Sequence, residues 1–428
     1  MTGNKQYAIL ISLTSDTSEM IQLSESLGCN IIKEFIQQRK TPDVNYYIGP
    51  GKLEEIKEFI DKSDKTIELA IINGELRPSQ WFQLEKKLQM MVYDRIRLIL
   101  SIFEKRAERR EAKLQVKLAQ LQYERPYVRE LIHRAKAGEH PGYMAGGEYQ
   151  VDDYYETIKK QIKKIQDELD KIRSNRDLQR QTRYKSGFYL VSLAGYTNAG
   201  KSSLLNLLAD EDIYVDECLF STLSTTTRKI PKNTRGRTIP LLLTDTVGFI
   251  ENLPSWVIDA FHSTLEEIEV ADIILLVVDG SEPPDIVERK LKVSLRELQE
   301  LKVNASIILV FNKKDKIKPN EEEHLIKYLE HAGVIQDKPY VFVSAKNRIN
   351  IDTLLRVIYN ALPNLTRLTL KLPMTENAQK FISELYKISH VLDTRYDDTT
   401  EITLECNTKI KDKIIARCHN LNGTAEQK

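Results

Sequence analysis

The chain has 428 residues, of which 41% are hydrophobic and 29% charged, and its formal net charge is +1 at pH 7. This composition is typical of a globular protein of about three domains. No apolar run reaches the roughly 20 residues needed to span a bilayer, and the N-terminus lacks the apolar segment of a signal peptide, so we expect a cytoplasmic protein. The cysteines have neither paired nor zinc-finger spacing, which favours reduced thiols over disulfides or zinc at Cys29, Cys218, Cys406 and Cys418.

Residues 1–94 alternate short apolar runs with amphipathic ones, which predicts a small α/β domain. Strands are predicted at 7–13, 44–48 and 69–72, and helices at 18–27, 53–60 and 79–88. The segment Gly49-Pro50-Gly51-Lys52 precedes the second helix. It could bind an anion at a helix N-terminus. A strand-to-helix turn is the favoured interpretation, because glycine and proline mark turns more often than ligand sites.

Residues 95–185 are predicted to form a long antiparallel helical hairpin. The first helix should run from Ile96 to about Arg134 with a kink or break at Pro126, and the second from Tyr154 to about Arg183. The outer faces of both helices are basic, through Lys105, Arg106, Arg109, Arg110, Lys113 and Lys117 on one and Lys159, Lys160, Lys163, Lys164, Lys171, Arg173, Arg176, Arg180 and Arg183 on the other. A solvated helix surface and a surface for RNA phosphates both have this pattern, and the residues alone do not separate them.

Residues 186–363 contain a phosphate-binding loop. Between an apolar strand and a helical pattern, the chain fits G-x-x-x-x-G-K-[ST], the context that distinguishes such a loop from an ordinary glycine turn. The ammonium of Lys201 would neutralise β and γ phosphates, and the hydroxyl of Ser202 would bind Mg²⁺. The predicted nucleotide contacts in this loop are Gly195, Tyr196, Thr197, Asn198, Ala199, Gly200, Lys201, Ser202 and Ser203.

A second segment predicts how the γ-phosphate is sensed. The strand 241–244 ends in Asp245-Thr246-Val247-Gly248, where Asp245 would hold Mg²⁺ through water and the amide of Gly248 would face the γ-phosphate. The next residue is Phe249, whose side chain has no donor or acceptor and cannot orient the attacking water. We therefore expect slow intrinsic hydrolysis, with Lys201, Gly248 and one switch threonine as the catalytic groups.

Two further segments predict a preference for guanine. Asn312-Lys313-Lys314-Asp315 follows the apolar run 307–311, and Ser344-Ala345-Lys346 follows 340–343. The carboxylate of Asp315 would accept hydrogen bonds from two donors of guanine that adenine lacks. With adenine bound, this buried acceptor would be unpaired, which favours guanine over adenine. The segment Asn312-Lys313-Lys314-Asp315 alone is also compatible with a polar turn. Four motifs in order, each at the carboxyl end of a strand, predict binding of GTP and GDP.

Residues 364–428 are predicted to form a small β-α-β-β-α domain to which the sequence assigns no chemistry. The predicted fold class is therefore α/β. It comprises a small α/β domain (1–94), a long antiparallel helical hairpin (95–185), a P-loop G domain with a doubly wound sheet (186–363) and a small α+β domain (364–428).

The chain resembles the HflX family of translational GTPases over nearly its whole length. The resemblance rests on Tyr46-Tyr47-Ile48-Gly49-Pro50-Gly51-Lys52-Leu53, Asn73-Gly74-Glu75-Leu76-Arg77-Pro78-Ser79-Gln80, Asp94-Arg95, Gln115-Val116-Lys117-Leu118-Ala119-Gln120-Leu121, the P-loop and Asp245-Thr246-Val247-Gly248-Phe249-Ile250. It implies a Mg²⁺-dependent, ribosome-stimulated GTPase that binds the large ribosomal subunit and splits or rescues idle or stalled ribosomes under stress.

Three finer expectations come from the same resemblance. Similarity to related GTPases assigns the Mg²⁺-binding switch threonine to Thr222, with 224–227 as alternatives. Asn198 occupies a P-loop position that helps to hold K⁺ in GTPases resembling this one. The segment 140–149 departs from the glycine- and arginine-rich hairpin tip of many members, so the resemblance does not extend to the tip's contact with ribosomal RNA.

A second class of function is compatible with the residues. The chain could be a GTP-dependent switch with vestigial hydrolysis, whose target is RNA, another protein or, through weak association, a membrane. In either case we expect a monomer, because a folded hairpin uses the apolar seam within one chain.

Overall fold

The computed structural model describes residues 6–136, 148–185, 188–209, 226–230, 241–246, 248–249, 254, 256–257, 262–301 and 303–427. The chain forms two compact units. The first comprises the chain up to Ile172 with a short segment around Trp256, and the second comprises most of the chain from Arg173 onward. The domain boundaries at residues 94, 185 and 363 stay predictions.

The N-terminal part contains a four-stranded parallel sheet in the order β2-β1-β3-β4. Its strands are β1 (Gln6–Ser12), β2 (Cys29–Ile36), β3 (Leu69–Asn73) and β4 (Met91–Tyr93), and its helices are α1 (Ser18–Leu27), α2 (Pro50–Lys62) and α3 (Pro78–Leu88). Ile9, Ile11 and Ile72 lie in its core. The predicted α/β character of this part is confirmed.

One strand prediction in this part was wrong, and strands β2 and β4 were not predicted. The segment 44–48 is a turn closed by an isolated bridge between Asp43 and Tyr47, and Val44 is 71% exposed. Strand β2 was missed because only Cys29 and Phe35 in it are fully buried, so it lacks the continuous apolar run of a central parallel strand. Pairing with β1 makes it a strand.

Three helices follow, α4 (Arg95–Arg106), α5 (Arg110–Lys136) and α6 (Glu148–Lys185). The single helix predicted over 96–134 is interrupted at 107–109, and α5 continues through Pro126, where the break was expected. Tyr123 and Tyr127 flank that proline and lie buried with their hydroxyls 2.8 Å apart, so tertiary packing offsets the missing helix bond. Leu121, Val128 and Ile158 join α5 to α6, which confirms the predicted hairpin.

In the described part of the G domain, the sheet has six strands in the order β10-β9-β8-β5-β7-β6. These are β5 (Tyr189–Ala194), β6 (Thr226–Lys229), β7 (Leu241–Asp245), β8 (Ile273–Asp279), β9 (Ser306–Asn312) and β10 (Tyr340–Phe342). Only β6 is antiparallel to its neighbour, so the predicted doubly wound sheet is confirmed as a mixed one. The helices with described bounds are α7 (Lys201–Ala209), α8 (His262–Glu269), α9 (Pro284–Glu300), α10 (Pro319–His331) and α11 (Ile351–Asn360). The strand order reverses between β5 and β8, the point where such sheets bind ligands.

The C-terminal part is an antiparallel sheet in the order β12-β13-β11-β14. Its elements are β11 (Leu365–Pro373), α12 (Glu376–Ile388), β12 (His390–Tyr396), β13 (Thr399–Asn407), α13 (Thr408–Asn420) and β14 (Thr424–Gln427). The β-α-β-β-α domain predicted for residues 364–428 did not include β14. The four residues of this strand have no apolar pattern, and only their pairing with β11 makes them a strand. Across the residues that the structure describes, we find no helix with the length and apolar content of a membrane span.

Asp94 lies between β4 and α4, contacts the loop that follows β3, and provides a stability test. Its buried carboxylate caps α4 by accepting from the amide of Arg97 at 2.8 Å and also accepts from the amide of Leu76 at 3.1 Å. Replacing it with alanine removes the cap and leaves the Leu76 amide unpaired, which should lower the free energy of unfolding by about 2–4 kcal/mol. Urea unfolding followed by circular dichroism measures the decrease.

The matched control is Asp64→Ala, which removes an exposed carboxylate of the same part and should change stability by less than about 0.5 kcal/mol. Equal unfolding midpoints for Asp94→Ala and the unsubstituted protein would contradict the assigned role of Asp94.

Candidate functional site

The P-loop joins β5 to α7 at the carboxyl edge of the sheet. Gly195 and Gly200 have φ values of +139° and +91°, where L side chains are strained. A Cβ on Gly195 would lie 2.1 Å from the carbonyl oxygen of Val277, and one on Gly200 would lie 2.2 Å from Nδ2 of Asn312. Both positions therefore require glycine, and the loop can approach β8 and β9 closely.

Lys201 begins α7 and is buried. Its Nζ donates to the carbonyl oxygens of Gly195 at 3.1 Å and Tyr196 at 2.9 Å. Burial lowers the pKa of the ammonium to about 8, although the nearby carboxylate of Asp245 acts in the opposite direction. The two carbonyl groups carry no formal charge, so in addition to the nearby carboxylate of Asp245 the buried ammonium is suited to an anion such as a phosphate.

Ser202 and Asp245 bring two hard oxygen ligands together. The Ser202 hydroxyl donates to Oδ2 of Asp245 at 2.9 Å, and Asp245 is fully buried at the end of β7. The amide of Thr246 donates to Oδ1 of the same carboxylate at 2.9 Å, which fixes its orientation. Hydroxyl and carboxylate oxygens are the ligands that Mg²⁺ prefers, so this pair fits the predicted magnesium position beside the phosphates.

The segment after β7 lies directly on the P-loop. The amide of Phe249 donates to the carbonyl of Gly195 at 3.0 Å, and the amide of Thr197 donates to the carbonyl of Phe249 at 3.1 Å. A Cβ on Gly248 would lie 2.8 Å from Nζ of Lys201. Gly248 is therefore next to the ammonium of Lys201, where its predicted role would require it.

Asn312 connects the phosphate side of the site to the predicted base side. Its Nδ2 donates to the carbonyl of Ala199 in the P-loop at 2.9 Å, and its Oδ1 accepts from the amide of Ala345 at 3.1 Å. The hydroxyl of Ser344 donates to Oδ1 of Asp315, which is exposed and accessible to a base. The P-loop, the end of β9 and the segment 344–346 thus meet at the buried side-chain amide of Asn312.

The remaining predicted residues are distributed as follows. Ser203 lies in the first turn of α7, half-buried, Asn198 is exposed with a φ of +63°, and Lys346 is exposed. Thr222 and Val247 lie outside the described residues. The roles assigned to the predicted site residues stay predictions, although the described ones from the P-loop, 245–249, 312–315 and 344–346 lie at one edge of the sheet.

Sequence reasoning missed Asp279 at the end of β8. Its Oδ2 lies 2.6 Å from Nζ of Lys313. The signal was present, because a carboxylate ends an apolar parallel strand at the ligand-binding edge. It was not recognised because no known motif spans that position.

The mixed parallel sheet, the glycine-dependent loop and the buried lysine beside a hydroxyl–carboxylate pair define a P-loop nucleotide-binding protein. Family models agree over most of the chain. Residues 14–104 match "GTP-binding GTPase N-terminal", residues 106–183 match "GTP-binding GTPase Middle Region", and residues 190–346 match "50S ribosome-binding GTPase".

Relatives identify the family. The GTPase HflX of Thermococcus kodakarensis is 39% identical over 422 residues, covering 96% of this chain and 93% of the relative. The GTPase HflX of Methanocaldococcus jannaschii is 42% identical over 384 residues, covering 90% of this chain and 91% of the relative. The chain belongs to the HflX family of GTPases.

A solved structure of SsGBP in complex with GDP is similar to this chain in fold. It is 27% identical, the match covers 83% of this chain and 98% of that one, and the TM-score is 0.52. The protein is therefore a GTPase of the HflX family whose structural relative binds GDP.

The pKa of Lys201 predicts a pH-dependent affinity. A bound phosphate stabilises the ammonium and raises its pKa, so GDP binding above pH 8 must take up a proton. With a pKa of about 8 in the free protein, the association constant should be about tenfold lower at pH 9 than at pH 7. Calorimetric titration in two buffers of different ionisation enthalpy measures the affinity and the proton uptake.

The Lys201→Arg variant is the comparison, because its guanidinium stays charged and any remaining pH dependence comes from the nucleotide or other groups. We expect the variant to show no proton uptake at this position. A GDP affinity of the unsubstituted protein that is constant from pH 7 to pH 9 would be incompatible with a lysine of lowered pKa at the phosphates.

Proposed function

We propose that this GTPase binds the large ribosomal subunit through its helical hairpin, hydrolyses GTP faster there, and splits or rescues idle or stalled ribosomes in the cytoplasm. The observation that supports the proposal most is the basic surface of the hairpin in a chain that also carries a nucleotide site. The description of the matching G-domain model as a 50S ribosome-binding GTPase points in the same direction.

The proposed chemistry relies on position and charge. Lys201 balances the β and γ phosphates, and the amide of Gly248 faces the γ-phosphate. Ser202 and Thr222, with Asp245 behind water, would hold Mg²⁺, which when bound neutralises charge on the phosphate oxygens. These groups stabilise charge in the transition state but do not orient the attacking water.

Orientation of the water is the step for which the described site lacks a side chain. Phe249 is only 7% exposed and has no polar atom, although its backbone is anchored to the P-loop. Slow hydrolysis by the isolated protein follows from this deficiency. A ribosomal surface that orders the switch segments would supply the missing constraint, which is why we propose that ribosomes stimulate the reaction.

The hairpin carries the surface proposed for ribosomal RNA. Lys160, Lys164 and Lys171 lie within about 40° of one another around α6, since successive helix residues are about 100° apart. These lysines and Lys163 are exposed, although Asp167 lies within the same stripe. On α5, among the side chains that the structure describes, the exposed basic ones are Arg110, Lys113, Lys117, Arg125 and Arg129. A surface of this kind binds phosphates without reading sequence.

Charge reversal on α6 tests the proposed surface. We expect Lys163→Glu, Lys164→Glu and Lys171→Glu together to reduce co-sedimentation with large ribosomal subunits in the presence of a non-hydrolysable GTP analogue. The slope of log affinity against log salt should fall by up to about three, because each lysine that no longer neutralises a phosphate lowers it by about one. GDP affinity should stay unchanged, because the substitutions lie outside the nucleotide site.

A matched control places the same charge change on the C-terminal part, at exposed Lys380, Lys387 and Lys413. Equal decreases for the two triple variants would mean that net charge, not the hairpin, governs binding. If the unsubstituted protein does not co-sediment, the ribosomal proposal fails. Co-sedimentation without faster phosphate release would favour the alternative, a GTP-dependent binding switch with vestigial hydrolysis.

Potassium is the proposed additional cofactor. Asn198 is exposed in the P-loop, so its side chain is accessible to a cation near the phosphates. Hydrolysis measured with and without ribosomes should be severalfold faster in KCl than in NaCl, and Asn198→Ala should remove that difference while GDP binding persists. Identical rates in the two salts would exclude this role.

A further inference from the structure

Asp279 lies where the phosphate and base sides of the site meet. It ends β8, which is paired with β5 on one side and β9 on the other, and it is the register partner of Asn312. Its Oδ2 lies 2.6 Å from Nζ of Lys313, and the two side chains are only 12% and 22% exposed. Limited exposure reduces screening by solvent, so this ion pair is stronger than one on an open surface.

The carboxylate of Asp279 is held from its other side by its own loop. Oδ1 accepts from the amide of Ser281 at 3.0 Å and from its hydroxyl at 2.6 Å. The next residue, Gly280, donates from its amide to the carbonyl of Asn312 at 3.0 Å. The loop after β8 is therefore attached to the start of the predicted base-reading segment by a backbone bond as well as by the ion pair.

Lys313 has a backbone conformation that needs external support. Its φ is +63° and its ψ +34°, the left-handed region that is unfavourable for a residue with a Cβ. It immediately precedes the short 3₁₀ helix Lys314–Lys316, which carries Asp315. The direction in which the chain leaves Lys313 thus determines where the Asp315 carboxylate lies.

We propose that Asp279 is a positioning residue for guanine recognition. Its ion pair stabilises the left-handed conformation of Lys313, and that conformation places Asp315 against the base. The inference rests on the proposed base-reading role of Asp315 and adds a residue outside the recognised nucleotide-binding motifs. Because Asp279 acts through Lys313 and does not contact the γ-phosphate, it affects nucleotide affinity and not the chemical step.

The test is a double-substitution cycle with fluorescent GDP and with GTP turnover. Asp279→Asn keeps the shape and the bonds to Ser281 but removes the charge. We expect about tenfold weaker GDP binding and a similarly raised KM for GTP, with kcat within about twofold of the unsubstituted protein. Lys313→Met should weaken binding on its own, and adding Asp279→Asn to it should have no further effect, since the two residues act as one unit.

Three control variants distinguish a positioning role of Asp279 from a general loss of stability and from a failure of the proposed base-reading role of Asp315. Asp285→Asn removes an exposed carboxylate from the first turn of α9 and should bind GDP normally. Asp279→Glu should recover part of the affinity. Asp315→Asn should weaken GDP and favour xanthosine diphosphate; if it does neither, the base-reading proposal itself fails.

Three results would overturn the inference while leaving that proposal intact. The first is normal GDP affinity in Asp279→Asn when Asp315→Asn behaves as expected. The second is a decrease in affinity that adds fully to that of Lys313→Met. The third is a fall in kcat together with the thermal unfolding midpoint. Any of them would mean that Asp279 does not act through Lys313.

Discussion

The geometry of the nucleotide site depends on one buried amide. Asn312 is 3% exposed, and its side chain donates to the P-loop at Ala199 and accepts from Ala345. Each contact joins segments more than 30 residues apart, and both donor and acceptor capacity are used within a low-dielectric interior. Both hydrogen bonds hold the P-loop and the segment 344–346 against the end of β9, which carries the predicted base side.

The site is assembled at some cost in stability. Lys201 is buried against two carbonyl groups, and Gly195, Gly200 and Lys313 have positive φ values that the surrounding packing must maintain. These features have one physical consequence in common. The loop backbone and the buried ammonium of Lys201 are held in place before a ligand binds, and a phosphate beside Lys201 would stabilise its charge.

The second unit also connects the G domain to the C-terminal sheet through specific polar contacts. Asp272 accepts from the amide of Leu190 at 2.8 Å and forms an ion pair with Lys409 at 3.1 Å, so one carboxylate contacts β5 and α13. Tyr189 and Thr408 both donate to the carbonyl of Asn364, at 3.4 Å and 2.6 Å. The C-terminal sheet is thus attached close to the strand that leads into the P-loop.

The local chemistry of the nucleotide segments could be predicted from the residues, because each motif is short and its spacing is set by covalent geometry. The apolar strands preceding them were also predictable, since buried parallel strands are continuously hydrophobic. Strands β2 and β14 became strands only by pairing, and α5 passes through Pro126 because Tyr123 and Tyr127 pack around it. The ion pair of Asp279 with Lys313 likewise required the tertiary structure, because the two residues are 34 positions apart and meet only when β8 and β9 are neighbours.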